Sequence, residues 1–136
     1  MTKPTQKRGT GCPVTFALDS FGDRWSLIII RDIMVHGKKT YTAFLESDES
    51  IATNILINRL KQLETDGIVK KTRDPENRRS YTYTLTSKGR DLAPVLMEMI
   101  RWSGKYDTRP EAMKDAANAI TQDPEDFERR LRETAP

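Results

Sequence analysis

The sequence predicts a mainly α chain with one small β element, an α+β class, and three observations predict it. Apolar residues recur at helical spacing over most of the chain between Pro13 and Tyr106. The period changes to alternation only over Ile68–Arg73 and Arg78–Leu85. The most regular helical stretch, SIATNILINRLKQLETDG from Ser50 to Gly67, lies directly before that change. With 136 residues, 36% hydrophobic and 32% charged, the chain suits one compact, highly charged domain.

The elements follow in order. Residues 1–11 hold Lys3, Lys7 and Arg8 without apolar periodicity, and are expected to form a flexible basic arm. Pro13 suits the first turn of a helix from Val14 to Phe21, with Val14, Ala17, Leu18 and Phe21 along one side. Gly22 breaks it, and Asp23 can cap a second helix, Arg24 to Val35. The run Leu27-Ile28-Ile29-Ile30 is apolar nearly all round, which makes this the central buried helix. Lys39-Thr40-Tyr41 reads as a very short strand, Thr42 to Ser47 as a brief helix, and Ser47-Asp48-Glu49-Ser50 as a turn.

In the long helix, a step of 100° per residue gathers Ile51, Ala52, Ile55, Leu56, Leu60 and Leu63 in one arc. The opposite arc holds Asn54, Ile57, Asn58 and Lys61, with Thr53 and Glu64 at its edges. Ser50 is expected to be the N-cap and Gly67 the left-handed stop. Arg59 falls inside the apolar arc, so its stem is expected to pack and its head to pair with an acid. Amides, a hydroxyl and a lysine on the outer arc can donate to base edges and phosphates.

After Gly67, two alternating stretches flank the turn-former Asp74-Pro75-Glu76-Asn77, which predicts a β-hairpin with a basic tip. Thr86-Ser87 caps a last main helix running to about Tyr106, which Pro94 is expected to kink near its start. Leu92, Val95, Leu96, Met99, Trp102 and Tyr106 form a seam along it. That seam has little of its own chain left to cover it and is expected to pair with a second copy. The domain therefore spans 12–107. Residues 108–136 form an acidic extension with two weak, loosely packed helical stretches, Glu111 to Ile120 and Pro124 to Arg132.

The formal net charge is +3, unevenly spread. Residues 51–90 hold nine Lys/Arg against four acids, and residues 107–136 hold five against eight. A basic middle beside a polar helix face points to a polyanion. No paired His and carboxylate, nucleophile motif or glycine-rich phosphate loop is evident, so an enzyme is not expected. One cysteine, Cys12, and one histidine, His36, leave no basis for a zinc site, and no cofactor motif is present. No apolar run reaches the ~20 residues needed to cross a bilayer, and the N-terminus has no signal-peptide core; a cytoplasmic location is expected.

Two helices with a tight turn, followed by a basic hairpin, make a winged helix-turn-helix. Its motifs run in order: Cys12-Pro13, Gly22-x-x-Trp25, Arg59-Leu60-x-x-Leu63-Glu64-x-Asp66-Gly67-Ile68-Val69, Tyr83-x-Leu85-Thr86-x-x-Gly89 and Trp102. The series resembles the HxlR-type transcriptional regulators, which are MarR-like, over about residues 12–106. It departs from them at Thr40-Tyr41, where the family often has Arg-Phe, and at Ala43, where it often has an acid.

The resemblance implies a homodimer whose N- and C-terminal helices form the interface, with Val14 and Leu18 of the first helix joining the seam of the last. It also implies a two-fold double-stranded DNA operator, the long helix in the major groove and the wings beside it. The expected DNA-binding set is Ser50, Thr53, Asn54, Ile57, Asn58, Lys61, Arg73, Asn77, Arg78 and Arg79. Either Arg78 or Arg79 takes the minor groove. Some family members sense oxidants through the cysteine that Cys12 matches. From its residue type, Cys12 has two readings: an inert small apolar core residue, which is favoured, or a thiol activated at a helix N-terminus. The competing function is a winged-helix module that binds protein through the acidic extension or through the Tyr81/Tyr83 face. No small-molecule effector is legible.

Overall fold

The computed structural model describes residues 10–134. Its elements are α1 (Pro13–Phe21), α2 (Arg24–Met34), α3 (Tyr41–Leu45), α4 (Thr53–Thr65), β1 (Val69–Arg73), β2 (Tyr81–Leu85), α5 (Ser87–Arg90), α6 (Ala93–Tyr106), α7 (Asp115–Gln122) and α8 (Pro124–Thr134). This is a winged helix-turn-helix, mostly helical with a two-stranded antiparallel sheet. Nearly all of the expected basic arm lies outside the described residues.

Helix α2 is central, as its apolar run predicts. Asp23 caps it by accepting from the amides of Trp25 and Ser26, each at 3.1 Å, and Ile29, Ile30, Ile33 and Met34 are buried. Leu56, Leu60 and Leu63 of α4 pack into the same core with Phe44 of α3. That packing turns the apolar arc of α4 inward and fixes which arc remains outside.

The strands pair in the register Val69↔Leu85 through Arg73↔Tyr81. Gly67, at φ 76°, makes the left-handed turn from α4 into β1 that its position predicts. Gly89 is required by crowding, because a Cβ there would stand 2.3 Å from the Ile68 carbonyl oxygen. Thr86 caps α5 by accepting from the Gly89 amide at 3.1 Å.

Several expectations need correction. Ser50 is not the N-cap: α4 starts after Ala52, which offers no capping side chain, and Ser50 sits at φ 58° within the preceding turn. Ile51 is buried, so the chain spends two further residues anchoring the turn before the helix begins. Residues 39–41 form no strand, because Thr40 caps α3 by accepting from the Ala43 amide. One backbone bond ties this segment to the hairpin, from the Tyr83 amide to the Lys39 carbonyl at 2.8 Å. The second strand begins at Tyr81 rather than Arg78, since residues 78–80 belong to the hairpin tip.

The last main helix is two helices. The chain breaks at Asp91–Leu92, so Pro94 falls in the first turn of α6, where its missing N–H has no helical partner to lose. The seam is also narrower than expected. Leu96 is buried in the chain's own core, which takes it out of the seam, and half-buried Leu92 packs partly against that core. The extension is not loose: Ile120 of α7 and Leu131 of α8 are buried, and Arg132 pairs with Asp91 at 2.9 Å. These helices pack on α6 and α2, which supply the apolar surface that so polar a segment needs.

Candidate nucleic-acid interface

The outer face of α4 carries Thr53, Asn54, Ile57, Asn58 and Lys61, all exposed. Ile57, 55% exposed, has no role in the core. The arrangement suits a groove: two amides for base edges, an apolar tip for a thymine methyl and a lysine for phosphate.

Two ion pairs tie α4 and its turn to α2. The first was expected in kind, as Arg59 with an acid; the partner is Asp23, whose Oδ2 accepts from Arg59 Nε at 2.8 Å. Partial burial pushes the Asp23 carboxyl up, but bonds from Ser26 and Arg59 outweigh it and hold it below the ordinary aspartate range. Arg59 Nη1 also donates to Asn58 Oδ1 at 2.6 Å.

The second pair escaped the sequence reading. Arg31 of α2 forks onto Glu49, Nη1 to Oε2 at 3.0 Å and Nη2 to Oε1 at 2.9 Å. Its Nη2 also reaches the buried Asp32 at 2.6 Å, and Lys38 approaches the other oxygen of Asp32 at 3.7 Å. Ser47, buried, donates its hydroxyl to Glu49 Oε1 at 2.8 Å. The Arg31 guanidinium, helped by Ser47, holds the Glu49 carboxyl at about 2. The turn that launches α4 is thus clamped to the central helix by charge. An Arg-Asp pair inside an otherwise apolar helix was the available signal.

At the wing tip, the Asp74 amide donates to the Ser80 carbonyl at 2.9 Å, and Asn77 Oδ1 accepts from the Arg79 amide at 3.2 Å. Asn77 therefore shapes the turn as well as lying on it. Arg78 and Arg79 extend from the tip, exposed. Arg73 is engaged within the wing: it donates to the Arg78 carbonyl and, at 2.8 Å, to the Tyr81 hydroxyl. Lys71 stands 4.2 Å from the centre of the Tyr81 ring and Arg73 5.0 Å, so the tyrosine gathers cations along the strand.

Away from α4, α1 has no buried residue and exposes Val14, Phe16 and Leu18. Helix α6 exposes Val95, Met99, Trp102 and Tyr106, the last two with ring centres 5.2 Å apart. Phe16, 71% exposed, joins this apolar set although the sequence pattern did not single it out. Cys12 is at the N-cap of α1 and exposed, which overturns the inert core reading. The Thr15 amide and hydroxyl and the Val14 amide, at the helix N-terminus beside it, favour the thiolate and lower its thiol from the usual cysteine value. Among the described residues there is no cluster able to hold a metal ion, and no helix long and apolar enough to cross a membrane.

The model of the HxlR-like helix-turn-helix family matches residues 20–111. The chain belongs to that family. It is 32% identical to the HTH-type transcriptional regulator YdeP of Bacillus subtilis over 109 residues, covering 80% of this chain and 84% of the relative. With YodB of the same organism, also an HTH-type transcriptional regulator, identity is 35% over 98 residues, 71% of this chain and 87% of YodB. Among solved structures, the redox regulator HypR in its reduced form superposes with a TM-score of 0.64 at 33% identity, covering 71% of this chain and 95% of HypR. The chain is therefore a DNA-binding transcription regulator, and the relatives it matches are regulators rather than enzymes. The family match ends at 111, so α7 and α8 lie beyond it.

Proposed function

We propose that the chain acts as a homodimer on a two-fold DNA operator, with α4 of each copy in a major groove and the wing against the minor groove and backbone. The observation that carries this is the outward face of α4, where Asn54, Ile57, Asn58 and Lys61 stand exposed beside a hairpin that ends in Arg78 and Arg79. Thr53, Asn54 and Asn58 read base edges, and Ile57 meets a thymine methyl. Lys61, Arg78 and Arg79 supply phosphate or minor-groove contacts. Arg73 and Asn77 act chiefly by shaping the wing, and Ser50 by shaping the turn before α4. The exposed apolar residues of α1 and α6 support pairing with a second copy. A regulator that reads DNA works in the cytoplasm.

Cys12 is the natural point of redox control, since its exposed thiol is lowered and HypR is a redox regulator. With one cysteine per chain, oxidation joins Cys12 to Cys12 of a second copy or to a small thiol. The protein-binding alternative gains no support: the extension packs on α6 and α2 and leaves the outer face of α4 open.

A fluorescence anisotropy titration on DNA from the chain's own promoter region tests this reading at two salt concentrations, with reduced and oxidised protein. Saturable binding should fall steeply with salt, each neutralised phosphate contributing about 0.9 to the logarithmic slope. Binding that ignores salt would refute it. Loss of binding on oxidation, absent in Cys12→Ser, supports the redox arm; indifference to oxidation removes that arm alone.

A further inference from the structure

We infer that Asp23 and Arg59 are positioning residues that set which base Asn58 reads, by fixing the orientation of its amide. This rests on the proposal that α4 enters the major groove. A guanidinium only donates, so the atom it touches at 2.6 Å on Asn58 is necessarily the amide oxygen. Arg59 is not free to move aside. Its Nε is held at 2.8 Å by Asp23 Oδ2, the atom that also accepts from the Trp25 and Ser26 amides. The relay therefore runs from the N-terminus of α2, through one carboxylate and one guanidinium, to a side chain on the outer face of α4.

The consequence is chemical. An asparagine recognises adenine by pointing both ends of its amide at the base, the oxygen accepting from N6 and the nitrogen donating to N7. The Asn58 oxygen is turned toward Arg59 and gives one lone pair to it, which leaves the two N–H donors as the uncommitted end of the amide. Donors match guanine, whose major-groove edge offers O6 and N7 as acceptors, and clash with the amino group of adenine. Asn54, which has no such partner among the described residues, keeps both ends of its amide for adenine. Two asparagines one turn apart on one helix thus read different bases, and the difference comes from a neighbour that touches no DNA.

Selection from a randomised double-stranded DNA library with the full chain tests this, with Asn58→Ala identifying the half-site position that Asn58 reads. Wild type should prefer guanine there. Arg59→Met keeps a packed stem without the donor, and should move the preference toward adenine by on the order of tenfold at that position alone. Asp23→Asn keeps a capping side chain but loses the charge that holds Arg59, and should shift the preference in the same direction. It also answers the question should Arg59→Met fail to fold. An unchanged preference in the variants, or a uniform loss over all sequences, overturns the relay while leaving α4 as the reading helix. No enriched sequence with wild type overturns the groove assignment and the relay with it.

Discussion

Replacing Glu49 with glutamine removes one charge from the clamp that ties the α3–α4 turn to α2 and leaves the side chain's shape. The Glu49 carboxyl is lowered from 4.5 to about 2, chiefly by the Arg31 guanidinium. At about 1.4 kcal/mol per unit, that drop bounds the stabilisation at roughly 3 kcal/mol. Both side chains keep about a third of their surface in water, 30% for Arg31 and 28% for Glu49. Solvent screening reduces the expectation to about 1–2 kcal/mol. The sign follows from linkage. A carboxyl whose folded pKa lies below its unfolded value stabilises the fold fully above about 4.5, and loses that contribution as pH falls toward about 2.

Urea unfolding of wild type and Glu49→Gln should therefore differ by about 1–2 kcal/mol at pH 7, and by less than half of that near pH 3. DNA affinity should fall as well, because the turn sets the pose of α4. A difference as large at pH 3 as at pH 7 would refute the electrostatic account and make Glu49 a packing residue. No difference at either pH would remove the clamp altogether.

Other perturbations separate the remaining parts of the molecule. Ile120→Ala should cost about 2–5 kcal/mol in the same unfolding assay, because Ile120 is fully buried among residues of the domain core; an unchanged stability would mean that α7 only rests on the surface. Trp102→Glu places a charge in the exposed apolar face of α6 and should turn a dimer into a monomer in sedimentation, with DNA affinity falling at least tenfold; a monomeric wild type would refute the pairing. Alkylation of Cys12 followed against pH should show a midpoint below that of an unstructured cysteine peptide, because the Thr15 and Val14 amides at the helix N-terminus and the Thr15 hydroxyl favour its thiolate. A midpoint at or above the peptide's would return Cys12 to an ordinary surface thiol.

Much of the fold was legible because the residues concerned act through local rules. The arcs of α4 follow from 100° per residue, Gly67 from its left-handed turn, and the wing from alternation around Asp74-Pro75. The helix wheel puts Arg59 inside the apolar arc, which packs its stem and points its head to an acid rather than to a base. What local rules miss is the choice between competing local options. Ser50 and Ala52 both precede a helical run, and the burial of Ile51 decided that the helix waits. Thr40 could join a strand or cap a helix, and the packing of Phe44 drew it into the cap.

The sequence by itself determined the element types, the basic wing, the polar face of α4 and the family, since each depends on residues near one another in the chain. The tertiary structure decided the rest, which depends on residues far apart. It took Leu96 out of the exposed seam by giving it a core to enter. It brought Arg31 to Glu49, 18 residues away, and Asp23 to Arg59, 36 away. It folded the acidic extension onto α6 and α2. Side-chain charges meet where the backbone brings them, and no periodicity along the chain encodes which distant partner that will be.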